Sequence, residues 1–189
     1  MAYEALAKDL YQEGAVLIGR FPDSRVKFNF HPDANPRLLE RIGLRMLATV
    51  NSLRVFYTHL ISPPGKEFLA LAVSQVSKLS RKPSVLAVRG DKVLGKYKPG
   101  ATGLLILDQI KDGMSELNLM YLLAEKGIFL DNILAIIDAE KEGTEKLSDL
   151  ANVFALFTKS ELVQYIIQDE IQRKRMSPDL GHEVLRSIR

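Results

Sequence analysis

Two rhythms of apolar positions run along the chain: helical spacing near both ends, and between them short continuous apolar runs that alternate with amphipathic stretches. From Tyr3 to Glu13, Leu6 and Leu10 recur at helical spacing with Ala7 and Tyr11 beside them, and Gly14 supplies a stop, which predicts an opening helix. Ala15 to Phe21 and Val26 to Phe30 are β-prone runs separated by Pro22-Asp23-Ser24, which predicts a hairpin. Asn35-Pro36 opens a long helix with a stripe of Leu39, Ile42, Met46, Val50 and Leu53.

The middle of the chain repeats strand, loop and helix. Arg54 to Ile61 reads as a strand, Ser62-Pro63-Pro64-Gly65 as a loop, and Lys66 to Leu79 as a helix with Phe68, Ala72, Val76 and Leu79 facing inward. Ser84 to Arg89 is the next strand, and Gly90 to Gly100 reads as a mobile loop bearing Lys92, Lys96 and Lys98. Gly103 to Asp108 is a continuous apolar strand, followed by a helix from Met114 to Lys126 that buries Leu117, Met120, Tyr121 and Ala124 and stops at Gly127. Asn132 to Asp138 and Val153 to Thr158 are buried-type strands around a short helix at Thr144 to Leu150, and the last long helix starts at Lys159.

Continuous apolar strands alternating with amphipathic helices imply an α/β fold, a mostly parallel central sheet flanked by helices, with an N-terminal helix and hairpin as a hood. Ligands of such sheets sit at the carboxyl ends of the strands. The 189 residues fit one domain over 1–175, leaving 176–189 as a basic tail or short docking helix through Val184, Leu185 and Ile188. With 47% hydrophobic and 26% charged residues the chain is expected to fold on its own. It contains no cysteine, which excludes disulfides, thiolate metal sites and thiolate nucleophiles. No apolar run reaches the roughly 18 residues of a membrane span, and Met1 to Leu10 lacks an export pattern, so a cytoplasmic location is expected. The net charge of +3 comes from scattered basic residues, which argues against nucleic-acid binding. His31, His59 and His182 show no metal or catalytic spacing and fit structural or surface roles; no metal site is expected.

Chemistry concentrates in Leu104-Leu105-Ile106-Leu107-Asp108-Gln109-Ile110-Lys111-Asp112-Gly113-Met114-Ser115-Glu116, a buried strand running through a turn into a helix. Outward-pointing amides at a helix N-terminus carry partial positive charge and can cradle a phosphate on Asp112, Gly113, Met114 and Ser115. The alternative is that Asp112 or Ser115 caps the helix and Gly113 merely turns the chain.

With its neighbours, this stretch resembles the ribose-phosphate motif of type I phosphoribosyltransferases, and the chain is most similar to the orotate phosphoribosyltransferases among them. Leu10-Tyr11, Gly14-Ala15-Val16 and Gly19-Arg20-Phe21 resemble the family's N-terminal helix and strand, and Leu156-Phe157-Thr158-Lys159-Ser160-Glu161-Leu162 its last strand and closing helix. The family motif has two acids that contact the ribose hydroxyls of 5-phosphoribosyl 1-diphosphate, then a Thr/Gly run around the 5′-phosphate. Here the two acidic positions hold Asp108 and Gln109, so a neutral amide replaces the second anionic acceptor, and Asp112 stands in the phosphate run. A carboxylate about 4 Å from a phosphate opposes it by on the order of 1 to 4 kcal/mol. The resemblance implies a catalytic-loop lysine at Lys92, in Gly90-Asp91-Lys92-Val93-Leu94-Gly95, where Leu94 replaces the family's His. It implies a diphosphate loop at Gly65 and Lys66, and base-site candidates at Arg25 and Lys27.

Two functional expectations follow. One is a phosphoribosyltransferase-like protein with lost or weakened transferase activity that binds a ribose-phosphate or nucleotide ligand or regulates a partner. The other is an active enzyme of nucleotide biosynthesis that joins orotate or another base to 5-phosphoribosyl 1-diphosphate with Mg²⁺, using Asp108 and Lys92. The resemblance also implies a homodimer.

Overall fold

The computed structural model describes residues 2–188 apart from 20, 22–23, 31–34, 78–83 and 140. In chain order the first elements are α1 (Ala2–Gln12), β1 (Val16–Ile18), β2 (Val26–Phe28), α2 (Pro36–Ser52), β3 (His59–Ser62), α3 (Glu67–Val76), β4 (Ser84–Arg89) and β5 (Lys92–Leu94). They are followed by β6 (Ala101–Ile110), α4 (Met114–Glu125), β7 (Ile128–Asp138), α5 (Lys141–Ser148), β8 (Asn152–Thr158), α6 (Lys159–Gln172) and α7 (Pro178–Ser187). The chain divides into two compact units, Leu39–Leu156 and Met1–Leu38 with Phe157–Arg189.

The larger unit is built on a six-stranded sheet of order β5-β4-β3-β6-β7-β8. The pairs β3 with β4, β3 with β6 and β6 with β7 are parallel, and β4 with β5 is antiparallel. The expected mostly parallel α/β fold is therefore the observed one. Its core follows from the continuous apolar runs: Leu104, Leu105, Ile106 and Leu107 of β6 and Ile133, Leu134, Ala135, Ile136 and Ile137 of β7 are all buried. Strands with both faces covered need no polar alternation, which is how these runs differ from half-exposed strands.

The smaller unit holds the β1–β2 hairpin, with Val16 opposite Phe28 and Ile18 opposite Val26. Pro22 and Asp23 of its expected turn lie outside the described residues. Here α1 packs on α6, where the Lys8 ammonium and the Arg173 guanidinium reach the buried Asp169 carboxylate at 2.7 and 2.8 Å. Burial pushes Asp169 upward, but hydrogen bonds from Lys8 and Arg173 outweigh it and hold the carboxyl below its usual range. A capping box opens α6: Thr158 accepts from the Glu161 amide while Glu161 accepts from the Thr158 amide.

Several expectations need correction. The strand expected from Arg54 starts only at His59, because α2 runs to Ser52 and Arg54 takes a left-handed conformation with φ of 54°. In α2 the buried stripe is Leu38, Ile42, Met46 and Val50, with Leu39 half-buried and Leu53 exposed. In α3 the buried residues are Leu69, Ala70, Ala72, Val73 and Ser74, with Phe68 and Val76 only half-buried; Leu79 lies outside the described residues. In α4 they are Leu119, Met120 and Leu123, while Tyr121 and Ala124 are exposed. Both helices are apolar on more than one face, so spacing alone did not single out the side that meets the sheet. The segment expected to be a mobile loop begins instead as a β-hairpin: Arg89 pairs with Lys92, Val88 with Val93 and Ala87 with Leu94, around a two-residue connection in which Gly90 adopts φ of 60°.

Candidate functional site

Two strand-to-helix turns sit at the carboxyl end of the sheet, where α/β folds bind ligands. The turn after β3 runs from the fully buried Ser62 through Pro63 and Pro64 to Gly65, whose φ of 77° is a left-handed conformation. Nothing lies within 4 Å of where a Gly65 side chain would begin. The next residue, Lys66, precedes α3 without capping it through its side chain. Its ammonium group instead reaches Asp108 Oδ2 at 2.5 Å. The structure thus joins two candidates that the sequence analysis held apart, the diphosphate-loop lysine and the acidic residue of β6.

Asp108 is 6% exposed, and both its oxygens are engaged: Oδ2 by Lys66, and Oδ1 as acceptor of the Gln109 amide at 2.9 Å. A buried carboxylate needs such partners, since an unpaired charge there costs several kcal/mol.

The turn after β6 has the same plan with different filling. Gly113, at φ of 75°, leads into α4, but the capping comes from Asp112, whose Oδ1 accepts the Met114 amide at 3.0 Å. One of the first-turn amides that would face a phosphate is therefore satisfied by the chain's own carboxylate. Met114 and Ser115 are exposed. Burial pushes the Glu116 carboxyl up, with the negative charges of Asp112 and Asp108 adding to the rise and its own amide opposing it.

The turn is also packed from the side. Gly143 of α5 lies so near that a Cβ there would run into the Lys111 carbonyl, and one at Gly113 would sit 2.9 Å from the Gly143 carbonyl oxygen. On the same helix Lys146 binds Glu142 at 2.8 Å, which pushes its ammonium up, and reaches the Asp112 carbonyl at 3.5 Å.

The remaining candidates stand elsewhere. Lys92 is exposed on the edge strand β5, three strand spacings from β6, or roughly 14 Å between strand axes. Arg25 and Lys27 belong to the smaller unit; Arg25 is bound to Glu183 of α7 at 2.5 Å and Lys27 is exposed. Among the described residues no three His, Asp or Glu side chains come together as a metal cage. Both Asp108 oxygens already have partners within the chain, so a Mg²⁺ there would rely on substrate phosphates and water for most of its oxygen ligands.

Sequence reasoning missed the Lys66–Asp108 pair, because the two residues are 42 positions apart and nothing in spacing links them. It also missed Gly143. The expected helix begins at Thr144 whereas α5 begins at Lys141, so Gly143 stood outside the expected element and its spacing did not mark the close approach.

No family model matches the chain. It is 28% identical over 165 residues to the orotate phosphoribosyltransferase of Archaeoglobus fulgidus, covering 79% of this chain and 92% of that protein. Its structure is similar to Leishmania donovani UMP synthase, with a TM-score of 0.80 and 17% identity over 97% of this chain, which spans 41% of the synthase chain. It is also similar to orotate phosphoribosyltransferase of Francisella tularensis, with a TM-score of 0.74 and 18% identity over 96% of each chain. The chain has the phosphoribosyltransferase fold and is similar in sequence to an orotate phosphoribosyltransferase.

Proposed function

We propose that this is a phosphoribosyltransferase-like protein whose transferase chemistry is lost or weakened, a pseudoenzyme that serves as a ligand-binding or regulatory protein. The observation that carries this reading is Asp112, which places a carboxylate on the α4 amide where the resemblance puts the substrate 5′-phosphate. Three further features support it. Gln109 replaces the second acid, Asp108 is engaged by Lys66 inside the protein, and the segment that resembles the catalytic loop begins as a two-residue hairpin connection. Phosphoribosyl transfer depends on positioning and on neutralising the diphosphate leaving group, so losing several donors and gaining negative charge act together against it. The ligand class is a ribose phosphate or nucleotide held weakly. A second copy of the chain is the expected partner, and the cytoplasm the expected location.

An active transferase that joins orotate or another base to 5-phosphoribosyl 1-diphosphate with Mg²⁺ is the second reading. It is favoured by the 92% coverage of the Archaeoglobus fulgidus protein and by the retention of Lys66, Asp108 and Gly113 at the carboxyl end of the sheet. Incubation with orotate, 5-phosphoribosyl 1-diphosphate and Mg²⁺, following orotate absorbance, decides between them: the first reading expects no turnover above background, and brisk loss of orotate overturns it.

A further inference from the structure

We propose a second binding site at the amino ends of β3 and β6, shaped for a small organic anion of nucleotide size whose negative group faces Lys96 and Lys98. The site goes beyond the reading above and lies away from its turns: Ala101, at the pocket, and Asp108 are seven residues apart on one strand, roughly 23 Å.

Four observations carry it. A pocket of about 460 Å³ opens between the start of β3 and the segment that joins β5 to β6, lined by Thr58, His59, Lys96, Tyr97, Lys98 and Pro99 among others. That volume is more than an inorganic anion needs and falls within the roughly 300–1,000 Å³ of small-molecule sites. Lys96 and Lys98 are exposed, no carboxylate lines the pocket, and among the described residues neither ammonium group forms an ion pair; Lys8, Lys66, Lys141 and Lys146 all do. Two unneutralised cations beside an uncharged wall attract an anion that also has apolar surface to bury.

The wall is held in place before any ligand arrives. His59 Nε2 donates to the Lys96 carbonyl at 3.2 Å, and His59 Nδ1 is 2.8 Å from the Thr58 hydroxyl, which lies 2.8 Å from the Thr102 carbonyl. At the far end the Gly100 amide donates to Gly127 at 2.7 Å and the Ala101 amide to Lys98 at 3.1 Å, while Tyr97 packs against the core. A segment tied at both ends loses little freedom on binding.

The test is a titration of the ¹⁵N-labelled full chain with adenosine 5′-monophosphate, adenosine and inorganic phosphate, followed by amide chemical shifts. The nucleotide should move the amides of Thr58, His59 and 96–101 at lower concentration than any movement of 108–116, and more weakly as salt is added. Adenosine and phosphate should each bind about tenfold more weakly or worse. The Lys96→Ala/Lys98→Ala variant, with its melting temperature unchanged, should lose roughly fivefold or more in affinity. The proposal is overturned if millimolar nucleotide leaves 96–101 unmoved, if the shifts fall only on 108–116, or if adenosine or the double variant binds as well.

Discussion

The turn after β3 and the turn after β6 share a plan of strand, left-handed glycine and helix, yet one is open and the other filled. Gly65 faces free space and is followed by a lysine, while Gly113 is preceded by an aspartate and pressed against the backbone of α5. An ion pair, Lys66 with Asp108, bridges them. Two turns of the same backbone outline can thus differ in chemistry, because the outline depends on glycine conformation and packing, and the chemistry on which side chains reach the amides.

The largest expected effect comes from closing the tighter turn further. Gly143→Ala puts a methyl group against the Lys111 carbonyl and should cost about 3 kcal/mol, read as a fall in melting temperature of roughly 6–12 °C. Cutting the bridge comes next: Lys66→Met leaves Asp108 buried without its cation and should cost about 2 kcal/mol in chemical denaturation. Gly65→Ala, at the same backbone angle as Gly113 but in open space, should cost only about 1 kcal/mol. If Gly65→Ala and Gly143→Ala cost the same, the contrast between the turns fails.

The smallest effect concerns charge at the second turn. Glu116 titrates above its ordinary 4.5, so the stability linked to its protonated form is complete below that value and is lost as pH rises through the higher folded value. Glu116→Gln should therefore be more stable than the parent at pH 7, by less than about 1 kcal/mol, with the gain vanishing near pH 4.

Much of this architecture was legible in the sequence. The continuous apolar runs of β6 and β7 announced buried parallel strands, and Gly14, Gly113 and Gly127 marked element boundaries where the structure gives them positive φ. The position of Asp108 at the carboxyl end of a central strand was likewise readable from the run before it. What could not be read were facts of tertiary contact. The inward faces of α3 and α4 were hidden by apolar residues on several sides, and the Lys66–Asp108 pair depends on two neighbouring strands meeting in register. The choice between a phosphate cradle and a simple cap at Asp112 was open in the sequence, because one residue type serves the second and opposes the first; the observed Met114 hydrogen bond favours the cap.

Calorimetric titration of ribose 5-phosphate into the parent and into Asp112→Asn tests that choice most directly, since asparagine keeps an acceptor for the Met114 amide and removes the charge. Reversed charge at the turn predicts weak binding to the parent and about tenfold tighter binding to the variant. Tight binding to the parent that Asp112→Asn leaves unchanged would contradict it.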